Sequence, residues 1–198
     1  MPLSRVLMCS AIECFLADTT ELPPLAVCTY AALALTGQDA ESSVRSSMLS
    51  AILNRGVALA TSVGASSREA TGLVRDITKM YLEIATGQPD PSPAIAAIAA
   101  IVNHSSSPDA LQAVKTASLT LEGKAVPVQG GAVVISRRRT VTEAVLRVVR
   151  ARVEQLTQQA NEEGPSAGGH HNHHRALLLD IAAQLHLICC VHRASSTS

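Results

Sequence analysis

"ITKMYLEIATGQPDPSPAIAAIAAIV", Ile77 to Val102, is the stretch whose reading decides the fold. Its first half reads as a helix, its centre is broken by prolines, and its second half is an alanine-isoleucine run without a charge. Pro93 stands where a first-turn proline belongs, behind Ser92 as N-cap, and Ile95, Ile98, Ile101 and Val102 follow at three- and four-residue intervals. A helix this apolar is expected to be almost entirely buried, with Ile95, Ala97, Ile98 and Ile101 forming a seam. Its stop is "NHSSSPD", after which Ser107 caps a helix that opens with Pro108 and Asp109 and runs through Leu111, Val114, Ala117 and Leu119. The two segments are predicted to form an αα-hairpin.

Composition agrees with a helical core. Of 198 residues 47% are apolar but only 2% aromatic, with no Trp and Phe15 as the one Phe, so Ala, Val, Leu and Ile must fill the interior. Such residues suit closely packed helices better than a β-sandwich. The predicted fold class is therefore all-α, helical hairpins in a bundle, with at most one short terminal strand. Sixteen basic residues balance sixteen acidic ones. No global field draws the chain to nucleic acid or an anionic membrane, and nucleic acid is disfavoured as a partner. No run reaches the roughly twenty apolar residues of a membrane span. Glu13 interrupts the apolar stretch near the N-terminus, which argues against a signal peptide. Five cysteines without paired spacing argue for a reducing compartment, and the expected location is cytoplasmic.

Residues 1–70 read as a helical region that repeats the next one. "PPLAVCTYAALAL" precedes "GQDAESSVRSSML" much as "SPAIAAIAAIV" precedes "SSPDALQAVKTASL", at an offset of about seventy residues. Asp39/Asp109, Ala40/Ala110, Val44/Val114 and Leu49/Leu119 coincide. A true duplication would mean stacked helical hairpins; chance similarity in so Ala-rich a chain is the competing reading. Residues 71–160 form the helical domain, closed by a helix over 140–159 with Val141, Val145, Val148, Val149 and Leu156 on one stripe. Residues 161–175 read as a flexible His-rich loop, "NEEGPSAGGHHNHH" and its neighbours. In 176–198, "RALLLDIAAQL" gives a helix and "HLICCV" a short buried strand.

Here the residues carry a resemblance. Ile77-Thr78, Tyr81-Leu82, the polar turn, Pro93 with Ile95-Ala96-Ala97-Ile98, and then "SSPDALQAV" are similar to the N-terminal helical domain of the alpha regulatory subunit family of eukaryotic translation initiation factor 2B. The arginine-led helix leading to a hydrophobic stretch closed by His192 and Ser195 resembles that family's passage into its second, sugar-phosphate-binding α/β domain. The resemblance spans 77–195. It implies a regulatory or structural subunit of a guanine-nucleotide exchange complex, with the other subunits of that complex as partners, a homodimer, and a sensor of a phosphorylated protein. It also makes 176–198 the truncated start of the α/β domain. The family departs from this chain in that second domain, in 1–70 and in the His-rich loop.

Candidate chemistry is sparse. Arg137, Arg138, Arg139, Arg147, Arg150 and Arg152 fall within sixteen residues. They read either as a partner-binding face for phosphate, since guanidinium forks pair bidentately with phosphate oxygens, or as a solvated helix face paired with Glu143 and Glu154. His170, His171, His173 and His174 could hold Zn²⁺ or Ni²⁺, with spacing that permits pairs of ligands, but a Gly-Gly lead-in and the lack of a nearby Asp or Cys favour a flexible, incidental metal-sticky loop. No metal or cofactor is assigned. Adjacent Cys189 and Cys190 are expected in the core, with His186 and His192 as distant candidates to activate a thiolate. "GKAVPVQGG" lacks the order of a phosphate-wrapping loop and reads as an inter-helix connection. No catalytic motif nominates an enzyme. Three readings remain open: the assembly subunit, an armadillo- or HEAT-like helical-repeat adaptor, and a truncated relative of the sugar-phosphate isomerases.

Overall fold

The computed structural model describes Ala11, Cys14 and residues 42–62, 68–125, 131–162 and 169–196. From residue 42 onward these form six helices: α1 Ser42–Ser62, α2 Arg68–Gly87, α3 Ser92–His104, α4 Pro108–Glu122, α5 Gly131–Glu162 and α6 Gly169–Ser196. No strand occurs among the described residues, and the all-α expectation holds. No described helix is long and apolar enough to cross a membrane. The sequence element "PPLAVCTYAALAL" and residues 37–41 of its neighbour, in the first copy of the apparent repeat, lie outside the described residues.

The apolar periods read above position these helices. In α3, Ala94, Ala97, Ile98, Ile101 and Val102 are buried, while Ile95 is half-buried. The helix begins one residue before the expected start. Pro91 is its N-cap, with φ −80° and ψ −12°, and Ser92 is its first residue. Asp90 performs the capping chemistry instead: its Oδ1 accepts the Ser92 N–H at 2.9 Å, and that bond holds the Asp90 carboxyl below the usual carboxylate range. Ser107 is the N-cap of α4 as expected, in an extended conformation, and its carbonyl accepts from Leu111 N–H at 3.2 Å.

The predicted α3–α4 hairpin is corrected. These two helices meet only near their shared connection, and each finds its main partners elsewhere. α2 packs against both, and α5 does so as well, so that α3 and α4 are held between two longer helices. α1 lies mainly on α3, and α6 lies mainly on α5 with its flank against α4. A three-residue connection, Ser105–Ser107, turns the chain but leaves the uncharged faces of α3 and α4 free to bury against larger surfaces. One continuous core results, running from Ile52 through Tyr81, Ile98, Leu111 and Leu146 to Leu185.

Two further expectations change. The helix over 140–159 is the inner part of a 32-residue helix, α5, that takes in Arg137, Arg138 and Arg139. Its inward stripe of Val141, Val145, Val149 and Leu156 is buried, Val148 is half-buried, and Thr142, Leu146 and Val153 join them. The "HLICCV" strand does not form: His186 to Val191 continue α6. Leu178, Ile181, Leu185 and Ile188 keep the helical period through that stretch, and tertiary burial of this stripe overrides the strand preference of the Ile, Cys and Val cluster. The residues expected to be buried there are largely outside, with His186, Leu187 and Cys190 exposed. No α/β start is seen in 176–196, which are helical. His170 to His174 likewise lie in the first turns of α6 rather than in a loop.

Candidate functional site

Each position of α5 fixes the reach of its arginines. Arg137 Nη1 donates to the Thr86 carbonyl at 3.2 Å and to that of Gln88 at 3.4 Å, at the C-terminal end of α2. Arg138 Nη1 donates to the Lys124 carbonyl at 2.8 Å, just past α4. Arg152 Nε donates to Ser105, the C-cap of α3, at 3.0 Å. Three arginines of one helix thus close the ends of three others. Helix C-termini carry unpaired carbonyls and the negative end of the dipole, both of which a guanidinium satisfies. Arg139 pairs with Glu143 at 3.1 Å and Arg150 with Glu154 at 2.7 Å, the local pairs expected of a solvated face. Arg147, 3.8 Å from Glu143, has a side chain 77% exposed and is the most open of the six. Arg137 and Arg150 are separated by roughly 20 Å of helix rise. The cluster in sequence is therefore distributed in space, and three of its six side chains donate to the chain's own backbone.

Of the four residues expected to form a seam, Ile95 is half-buried and the other three are buried. Ala97, Ile98 and Ile101 are 8%, 0% and 2% exposed, and α1, α2 and α5 cover them. Its alanines allow helices to approach closely, while isoleucines fill the space between.

Among the described residues no group of three His, Cys, Asp or Glu side chains is arranged to hold a metal. His174 Nε2 lies 3.1 Å from the Ser106 carbonyl, which ties the start of α6 to the α3–α4 connection. Cys190 Sγ is 3.7 Å from His186 Nε2, one helical turn away, and both side chains are exposed. The side chains of Cys189 and His192 and the connection over 126–130 lie outside the described residues. A cleft between α2 and α4 is lined by Lys79, Leu82, Glu83, Thr120 and Lys124, with the Lys124–Glu83 ion pair at 2.8 Å across it. Its volume of about 40 Å³ is far below the roughly 300–1,000 Å³ of ligand pockets.

Sequence reasoning missed two features. The first is Lys115, 3% exposed in the seam between α4 and α6, whose Nζ donates to Gln184 Oε1 while Gln184 Nε2 donates to Asp180 Oδ2 at 2.7 Å. Burial pushes the Lys115 ammonium pKa down, and the nearby Asp180 carboxylate opposes this more weakly. Its position between Val114 and Ala117 on a predicted apolar stripe was the available signal. The second is a set of large apolar side chains in water: Val133, 66% exposed, and Ile135, 54%, in the first turns of α5, and Leu179, 48%, and Leu187, 65%, along α6. Comparison with protein families, curated proteins and solved structures finds no match to this chain.

Proposed function

We propose that the chain works by protein–protein assembly, as a regulatory or structural subunit of a translation-initiation guanine-nucleotide exchange complex in the cytoplasm. The observation that carries the assembly reading is the exposure of Val133 and Ile135 in the first turns of α5 and of Leu179 and Leu187 along α6. Water-exposed apolar area forgoes roughly 25 cal/mol per Å², which a partner that covers it regains. The choice of complex rests on the likeness of 77–102 and "SSPDALQAV" to the factor 2B alpha family, joined to an all-helical fold over the same residues. In this reading the part-buried contacts of Arg137 and Arg152 hold α5 to the ends of its neighbours, and the exposed apolar side chains meet the other subunits.

The test is affinity purification of the tagged full chain from its source cells, with mass spectrometry of what co-purifies. Recovery of the other factor 2B subunits, reduced by the paired substitution Val133→Glu and Ile135→Glu, is the expected result. A folded preparation that recovers none of them overturns the choice of complex.

A further inference from the structure

Four of the chain's seven histidines stand within five positions, at 170, 171, 173 and 174, and the segment that holds them is helical. A loop leaves such imidazoles unplaced, whereas a helix fixes which positions share a face. At about 100° per residue, position 174 falls roughly 40° from 170 and roughly 60° from 171, so these three lie on one side, with 174 one turn beyond 170. Position 173 neighbours 170 but falls roughly 160° from 171 and roughly 100° from 174, outside the group. The side chains of His170 and His171 lie outside the described residues; their backbone positions lie within them.

His174 is already oriented as a ligand would be. Its half-buried ring sets Nε2 3.1 Å from the carbonyl of Ser106, 68 residues away on the α3–α4 connection. A carbonyl only accepts, so Nε2 carries the proton and Nδ1 of the neutral ring keeps its lone pair. Metal-ligating histidines are held in this way: the second ring nitrogen donates to a backbone carbonyl or a carboxylate, which fixes the tautomer and the ring plane. Two histidines four residues apart on one helix face form the pair that zinc metalloproteases use to hold their ion. Position 171 brings the donor set to three imidazoles, which leaves the fourth tetrahedral position to water.

We propose that the first two turns of α6 bind a divalent transition-metal ion, Zn²⁺ before others, through His170, His171 and His174. The proposal goes beyond the factor 2B reading and stands without it. An all-imidazole donor set suits Zn²⁺ and Ni²⁺, and it discriminates against Mg²⁺ and Ca²⁺, which take oxygen ligands. The bound ion staples the opening turns of the helix, and the His174–Ser106 contact ties those turns to the α3–α4 connection. Metal binding and formation of the start of α6 are thereby coupled.

The test is calorimetric titration of Zn²⁺ into the purified full chain, carrying no histidine tag, with each histidine of the cluster changed singly to glutamine. Saturable binding of a single ion is expected. His170→Gln, His171→Gln and His174→Gln should each weaken it by about tenfold or more, whereas His173→Gln should leave it unchanged. Because the ion binds the helical form, Zn²⁺ should also raise the melting temperature and slow amide exchange over the first two turns of α6. The paired substitution Cys189→Ser and Cys190→Ser should leave the affinity unchanged, which sets the site apart from thiolate binding at the other end of the helix. No saturable binding, binding lost with those cysteines, or an equal loss at all four histidines overturns the proposal, the last being the mark of an incidental metal-sticky segment only. Should His174→Gln fail to fold, the contrast of His170→Gln and His171→Gln with His173→Gln decides alone.

Discussion

The hydroxyl of Tyr81 is seated against the backbone of α1 at Gly56. It donates to the Leu53 carbonyl at 2.6 Å, with the Ile52 carbonyl at 3.1 Å, and the N–H groups of Gly56 and Val57 face its oxygen. Burial raises the phenol pKa well above its ordinary value, so the hydroxyl stays protonated. A Cβ on residue 56 would lie 2.7 Å from the ring Cζ and closer still to the hydroxyl. The glycine is there because a side chain from α2 occupies the space its own would need.

Gly56→Ala therefore tests which of two opposing effects is larger. Alanine favours an exposed helix interior by about 1 kcal/mol over glycine. Here the ring is fully buried and cannot swing away, and overpacking costs about 1–3 kcal/mol. The expected net result is destabilisation in urea unfolding. Tyr81→Phe removes the hydroxyl, so the double variant should lose less than the sum of the two single losses; simple additivity would refute the contact.

Ala97 and Ala96 offer a paired test of the seam. Ala97 is 8% exposed and faces the neighbouring helices, whereas Ala96 is exposed. Ala97→Glu buries an unpaired carboxylate, with a cost of about 3–5 kcal/mol that approaches the stability of a whole domain. Ala96→Glu should leave the melting temperature unchanged. Equal behaviour of the two variants would mean that α3 presents a different face to the core.

Why the seam was legible and other features were not is a matter of range. The burial of Ile98, Ile101, Leu111, Val114, Val145 and Val149 follows from three- and four-residue spacing within one helix. The partner of each helix is not encoded that locally: α3 and α4 are adjacent in sequence yet bury their faces on α2 and α5. Neither reading of Arg137 and Arg152, as a phosphate-binding face or as a solvated one, includes their bonds to the carbonyls of Thr86 and Ser105, because nothing near them in sequence announces partners 51 and 47 residues away. At His186–Val191 a short Ile- and Cys-rich run supported a strand, while the period that decides it, from Leu178 to Ile188, is visible only over a longer window.

The arginines separate by substitution. Arg137→Ala leaves two C-terminal carbonyls of the α2 region without their donor, which should cost about 1–2 kcal/mol. Arg137→Lys should recover little of this, since one ammonium cannot reproduce the planar fork. Arg147→Ala, at an exposed side chain far from any helix end, should leave thermal unfolding unchanged. A melting temperature insensitive to Arg137→Ala would remove the closing role assigned to α5.

Lys115 makes stability depend on pH with a sign opposite to that of a salt-bridged lysine. Its folded pKa is lowered by burial, so the unfolded chain binds more protons between that lowered value and the ordinary lysine value of 10.5. Stability should accordingly rise as pH climbs through this interval, where the folded state sheds a charge that it holds at a cost. Gln184 offers only a neutral acceptor, and Asp180 acts on the ammonium mainly across Gln184, so the offset is incomplete. Lys115→Met keeps the stem's packing and removes the charge, and near neutral pH it should match or exceed the wild-type stability. The difference between the two proteins in urea unfolding should shrink with increasing pH up to the ordinary lysine range. Parallel pH profiles for the two proteins would show that the buried ammonium is fully compensated and that this reading of the α4–α6 seam is wrong.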